Sequence, residues 1–333
     1  MRTDARSPAP GRSRELWFTG PRVVEVREGK IPEPTSGQVL ARALASGVSQ
    51  GTELLLYRGE GPTPFDPSLD APGAPTYPRR YGYAWVGEVV GEQRGGALPA
   101  GTRVFALAPH GDFHAIDVAT ARPIDPAIPP RRAVLAASLE TAVTCVWDAG
   151  VQLGDIVIVL GGGVVGLLIA KLAASAGGRV RVVEPSPLRR AAAESLGIAA
   201  APPEEVVPDA EADIVIEATG RPAVLERAIA HAAREAVVVV TSFYGSRSAP
   251  VPLGSGFHRR RIRLIASQVS SLPPARAARW TLERRFELVR TLLCDGSLDA
   301  LVDSAHPFGD AAGVYERLDR APGDALQTVF EYE

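Results

Sequence analysis

The stretch DIVIVLGGGVVGLLIAKLAASAG, residues 155–177, decides how the chain folds. A short, mostly β-branched run enters a glycine cluster and continues into an apolar, alanine-rich segment, which reads as strand, tight turn and helix. Gly161, Gly163 and Gly166 stand there in G-x-G-x-x-G spacing, with Val164 and Val165 before the last of them. The first glycine permits the turn, the second lets backbone approach a pyrophosphate, and the third lets helix and strand pack closely. The unpaired amides at the helix start favour an anion.

The next strand, RVRVVE, ends at Glu184. That lies within the roughly 20 residues at which a carboxylate accepts hydrogen bonds from both adenosine ribose hydroxyls. It repels a 2′-phosphate, so NAD(H) is expected in preference to NADP(H), although Arg189 and Arg190 follow closely and could hold a phosphate if the loop bent. Further on, ADIVIEAT, AVVVVTS and RLIASQ are again short β-branched runs suited to strands buried on both faces. With the intervening helical segments they predict an α/β fold, a doubly wound parallel sheet of the Rossmann kind. Ala218 and Thr219, which close ADIVIEAT, face the same end of that sheet and are expected to touch the cofactor.

Upstream the pattern differs. From Glu15 to Asp125, RVVEVRE, GQVLARALASGV, AWVGEVVGE and GTRVFAL are β-type runs cut by Gly and Pro, which predicts an irregular, mostly antiparallel β-domain. Residues 1–14, polar and rich in Arg, Pro and Ser, read as a loose tail. The expected organisation is therefore a tail at 1–14, a catalytic β-domain from 15–125 and 277–333, and a dinucleotide-binding domain at 126–276.

With 333 residues, two domains are the natural expectation. Lys and Arg number 36 against 38 Asp and Glu, a net charge of −2, which argues against a nucleic-acid partner. Cys145 and Cys294 are the two cysteines, too few for a disulfide framework or a four-cysteine zinc lobe. No apolar run has the length of a signal peptide or a membrane span, so a cytoplasmic protein without a membrane partner is expected.

The order of parts resembles the medium-chain dehydrogenase/reductase superfamily, whose N-terminal domain is GroES-like. GVSQGTELLLYRGE resembles the segment carrying the first catalytic zinc ligand of its alcohol dehydrogenases, YGYAWVGEVVGE the Gly-His-Glu strand, and LETAVTCVWDA the helix carrying the last ligand and a threonine under the nicotinamide. SGVSQGTEL, YGYAWVGEVVG, FALAPHGDFH and ASQVSS look most like the branch around bacteriochlorophyllide dehydrogenase and related specialised-metabolism enzymes. The resemblance implies a gap. Ser49 (or Gln50) stands where the family keeps cysteine, Tyr83-Ala84 where it keeps His-Glu, and Glu140 at the last ligand position. A catalytic zinc needs three protein ligands, so no metal is expected.

Without a Lewis acid, another group must serve the reacting oxygen. Tyr83 could be the general acid, with Glu140 orienting it or acting as base, and Thr52 and Ser49 extending a proton chain. Alternatively Tyr83 fills the missing metal's space beside Trp85. By the same resemblance Thr144 lies under the nicotinamide, and Ser242, Phe243, Ser267 and Gln268 lie along the carboxamide. His110, four residues before His114, could relay a proton, yet the intervening glycine argues for surface or loop histidines.

The function expected is a zinc-independent, NAD-dependent interconversion of a secondary alcohol and a ketone on a small-molecule polyol, cyclitol or specialised metabolite. The rivals are reduction of a conjugated double bond and a dinucleotide-binding protein without catalysis. An exposed edge at RLIASQ adds the expectation of a homodimer or homotetramer.

Overall fold

A computed structural model of the protein describes residues 11–61, 77–91, 98–254 and 256–333. Residues 1–10 of the expected tail, and 62–76 of the Pro/Gly-rich segment after the Tyr57 helix, lie outside the described residues. The chain divides into two units, one of Met1–Ala137 with Val302–Glu333 and one of Ser138–Leu301.

In the second unit six parallel strands lie in the order Ala199–Ala201, Arg179–Val183, Ile156–Leu160, Ala212–Glu217, Ala232–Val240, Arg263–Ala266. Numbered along the chain this is 3-2-1-4-5-6, the doubly wound order, and its direction reverses beside Ile156–Leu160. Helices Val164–Ser175, Pro187–Ser195 and Val224–His231 fall between strands. The central strands are mostly aliphatic because both their faces are covered: Val157, Val159, Val215, Ile216, Val238 and Val239 are fully buried. Five of the six strands coincide with the runs read from the sequence. The sixth, Ala199–Ala201, carries no β-branched residue.

The first unit holds a three-stranded sheet, Val23–Lys30, Arg12–Gly20 and Arg79–Arg80, and a seven-stranded one built around Gln38–Gly47 and Ala84–Val89. Strand Thr328–Glu331 pairs antiparallel with Gln38–Gly47, placing Phe330 opposite Ser46. Leu16, Phe18, Tyr315, Phe308 and Phe330 pack together beneath the helices Thr52–Arg58 and Ala311–Arg320.

Three boundaries differ from those expected. Strand Arg12–Gly20 begins inside the supposed tail because Arg14 is buried, its Nε and Nη2 donating to Asp112 at 3.0 and 3.1 Å. Residues 126–137 belong with the first unit: Arg103 reaches the carbonyls of Pro126 and Ile128. Residues 277–301 belong with the second, where Phe286 and Val289 are fully buried on the helix Leu282–Leu292.

Candidate functional site

The glycine turn forms a cradle that side chains would fill. Gly161 has φ +104°, and a Cβ there would stand 2.7 Å from the Ala218 carbonyl oxygen. A Cβ on Gly166 would stand 2.0 Å from the Gly161 oxygen. Gly163 caps the helix Val164–Ser175 without a side-chain hydrogen bond, so the first amides remain available to an anion. Arg189 Nη1 lies 3.8 Å from where a Cβ on Gly163 would be. Val164 and Val165, partly buried, open the helix.

Glu184 is 4% exposed at the end of its strand. Its Oε2 accepts from Gly162 N at 2.7 Å and its Oε1 from Ser186 N at 2.8 Å. Each oxygen keeps a further lone pair for a ribose hydroxyl. The fit of strand, glycine turn, helix start and terminal carboxylate to a nicotinamide dinucleotide is therefore steric as well as electrostatic.

At the next strand end the sequence reading missed a residue. Glu217 is fully buried, its Oε1 accepting from Thr219 N at 2.7 Å and from the Thr219 hydroxyl, its Oε2 from Tyr244 OH at 2.6 Å. It shapes the turn at Ala218 and Thr219; its place at the end of ADIVIE was the available signal. Ser242 Oγ accepts from Gly220 N at 2.8 Å, tying the fifth strand's end to the same turn. Phe243 stays 45% exposed, Ser267 N donates to the Val240 carbonyl, and Gln268 Oε1 accepts from Ser270 N.

Thr144 is fully buried. Its hydroxyl donates to the Glu140 carbonyl at 2.9 Å and accepts from Arg285 Nη1 at 2.9 Å. The same Nη1 reaches the Val269 carbonyl at 2.7 Å, while Nε and Nη2 hold Glu140 Oε1 at 3.2 and 2.9 Å. Arg285, another residue the sequence reading missed, thus satisfies Glu140 inside the second unit.

In the first unit, Tyr83 precedes the strand Ala84–Val89. Its phenol donates to Ser49 Oγ and lies 3.5 Å from Thr52 Oγ1. Burial, joined by the nearby Glu53 charge, raises its pKa, and its hydrogen bonds to Ser49 and Thr52 pull the other way. Ser49 is itself fixed: Thr52 N donates to its Oγ at 3.4 Å, and Glu53 Oε1 accepts from its backbone N at 2.9 Å. These two bonds tie Ser49 to the first turn of the helix Thr52–Arg58, whose N-cap is Gly51.

Glu53 is fully buried, as is His110. His110 Nε2 lies 3.0 Å from Glu53 Oε2, which also accepts from Tyr315 OH. Ser46 Oγ lies 2.6 Å from both His110 Nδ1 and Tyr332 OH. Of the expected surface or loop histidines, His110 does lie in a loop, but neither is at the surface. His114 sits on Phe113–Asp117 beside Ile116 in the inward alternation, its Nε2 2.8 Å from the Pro109 carbonyl. Burial, with Arg80 nearby, pushes its pKa down to about 4. Among the described residues no three His, Cys, Asp or Glu side chains are grouped to hold a metal ion.

The family model for zinc-binding dehydrogenases matches residues 164–283. The 2-desacetyl-2-hydroxyethyl bacteriochlorophyllide A dehydrogenase of Rhodobacter capsulatus is 26% identical over 95% of this chain and 97% of its own. The chain is thus similar to zinc-binding and medium-chain dehydrogenases, in sequence over nearly its whole length. Among solved structures of this fold, L-idonate 5-dehydrogenase from Escherichia coli aligns with TM-score 0.80 at 16% identity, covering 96% of this chain and 98% of that one. A Sinorhizobium meliloti chain described as a zinc-binding dehydrogenase and bound to NADP aligns with TM-score 0.78 at 20% identity, covering 96% and 99%.

Proposed function

We propose that this protein is a zinc-independent, NAD(H)-dependent oxidoreductase that interconverts a secondary alcohol and a ketone on a polyol, cyclitol or specialised metabolite. Action on a CH–OH group is the activity of the superfamily members it resembles. The finer reading rests on one observation above all: the three ligand positions are occupied by groups already hydrogen-bonded to other partners. Ser49 accepts from Tyr83, and Glu140 is held by Arg285. A serine hydroxyl, a neutral phenol and one ion-paired carboxylate are a poor donor set for zinc.

A nicotinamide dinucleotide, when bound, supplies or accepts the hydride. The chain's own residues do the rest. Gly161, Gly163 and Gly166 leave room for the pyrophosphate at the helix start, and Glu184 receives the ribose hydroxyls. Tyr83 carries its proton at neutral pH as any phenol does, and burial holds that proton more tightly; its place at the site makes it the general acid toward a carbonyl oxygen. Ser49 and Thr52, adjacent to its oxygen, return the proton. Glu53 holds Ser49 in place from behind, and His110 in turn holds Glu53.

Purified protein is expected to contain far less than one zinc per chain and to turn over alcohols with NAD in the presence of a chelator. Near-stoichiometric zinc by elemental analysis, with activity lost to chelation, overturns the zinc-free reading. Cofactor choice has its own test: calorimetry is expected to show NAD(H) bound at least about tenfold tighter than NADP(H), and Glu184→Ser to narrow the gap. Tighter NADP(H) binding by the parent sinks the assignment, and the NADP in the Sinorhizobium structure makes this a real contest.

No helix among the described residues is long and apolar enough to cross a membrane. The free thiols Cys145 and Cys294 suit the cytoplasm proposed here. Strand Arg263–Ala266 forms an edge of the parallel sheet. Pairing of that edge with a second copy supports a homodimer or homotetramer; a monomer mass by solution scattering at working concentration refutes it.

A further inference from the structure

One ion pair in the second unit has no part in the chemistry above. Arg285 and Glu140 are 4% and 14% exposed in their side chains, with Nη2 and Oε1 2.9 Å apart. They stand on different helices, Leu282–Leu292 and Ala136–Ala149. Removing two charges from water is unfavourable, and an aliphatic pair would pack at least as well. The guanidinium's remaining contacts indicate its use. Its Nη1 holds the Thr144 hydroxyl at 2.9 Å and the Val269 carbonyl at 2.7 Å. Thr144 lies one helical turn beyond Glu140, and Val269 follows directly on Ser267 and Gln268. One cation thus ties together the two segments assigned to the nicotinamide half of the cofactor.

A nicotinamide ring carries one positive charge when oxidised and none when reduced. A guanidinium alone beside it favours the reduced form, and a carboxylate alone favours the oxidised form; in a partly desolvated site either effect is larger than in water. We infer that the Arg285–Glu140 pair is a charge-balancing and positioning device for the nicotinamide: Arg285 fixes Thr144 and Val269, and Glu140 cancels the charge that would otherwise repel the oxidised ring. The inference rests on the reading that places the nicotinamide against Thr144. It gives Glu140 a task different from orienting Tyr83.

The test is the ratio of dissociation constants, oxidised over reduced, measured by calorimetry on the full chain with each cofactor form alone. Glu140→Gln keeps the shape and an oxygen for Arg285 but removes the negative charge; the ratio is expected to rise at least about fivefold. Arg285→Met removes the cation and is expected to lower the ratio at least about fivefold. The double variant, neutral again, is expected within about twofold of the parent ratio even if both affinities fall. A purely structural role weakens both forms together and leaves the ratio in place, so single variants within about twofold of the parent, or shifting it in the same direction, overturn the inference. Where Arg285→Met fails to fold, Glu140→Gln decides alone: an unchanged or lowered ratio overturns the inference and a raised one supports it. A parent that binds neither nicotinamide dinucleotide overturns the cofactor reading and this inference with it. A parent that binds both forms while the ratio stays fixed overturns only the inference.

Discussion

Tyr83→Phe is expected to lower kcat by about a hundredfold to ten-thousandfold, the range associated with loss of a positioned general acid. The ring and its edge-on contact with Tyr81, centroids 6.3 Å apart, remain. What disappears is the hydroxyl that donates to Ser49 and lies beside Thr52. Cofactor affinity is expected to stay within about twofold, because the dinucleotide cradle is built from the other unit. The measurement is steady-state turnover of an accepted alcohol alongside calorimetric binding of NAD(H). If the variant folds, binds cofactor normally and turns over within about threefold of the parent, Tyr83 is packing, and Glu140, Thr52 and His110 become the groups to examine.

Gly166→Ala is expected to reduce dinucleotide affinity by about 10- to 100-fold. The added methyl would stand 2.0 Å from the Gly161 oxygen, a backbone atom. Gly161 cannot retreat, because its own Cβ position is 2.7 Å from the Ala218 oxygen and its φ of +104° suits only glycine. The helix start must therefore shift away from the strand, and its amides lose their aim at the pyrophosphate. Overpacking of this kind costs about 1–3 kcal/mol, and each 1.4 kcal/mol is a factor of ten in affinity. Gly254→Ala, where nothing lies within 4 Å of the new methyl, is the control. Affinity within about threefold of the parent for Gly166→Ala would contradict this account of the cradle.

The parallel sheet was legible because its strands are buried on both faces, and such strands must be aliphatic whatever the rest of the chain does. Ile156–Leu160 and Ala232–Val240 announce themselves for that reason, and the glycine spacing then fixes the turn. Ala199–Ala201, partly exposed alanine at one edge of the sheet, has no such requirement and left no mark. The candidate site divides in the same way. Gly161, Gly166 and Glu184 are local in sequence, so spacing revealed them. Arg285 lies 145 residues from Glu140, and no periodicity announces a partner at that distance. His110 and His114 misled because the glycine between them made the segment look like open, exposed loop. In the structure Phe113–Asp117 runs along Gln38–Gly47, and its alternation turns His114 inward with Ile116.

The pairing of Thr328–Glu331 with Gln38–Gly47 sets an order of events during synthesis. Phe113–Asp117 covers the Gln38–Arg42 part of one flank, but Val329 must meet Gly47, and Glu331 must meet Ala45, before the rest of that flank has a neighbour. Every residue of the second unit, Ser138–Leu301, leaves the ribosome in the meantime. The nascent chain therefore carries the Ala45–Gly47 end of that strand unpaired on one flank while the second unit is being made. An open strand edge is a template for intermolecular pairing, so this short stretch stays exposed to it until Thr328–Glu331 has been made.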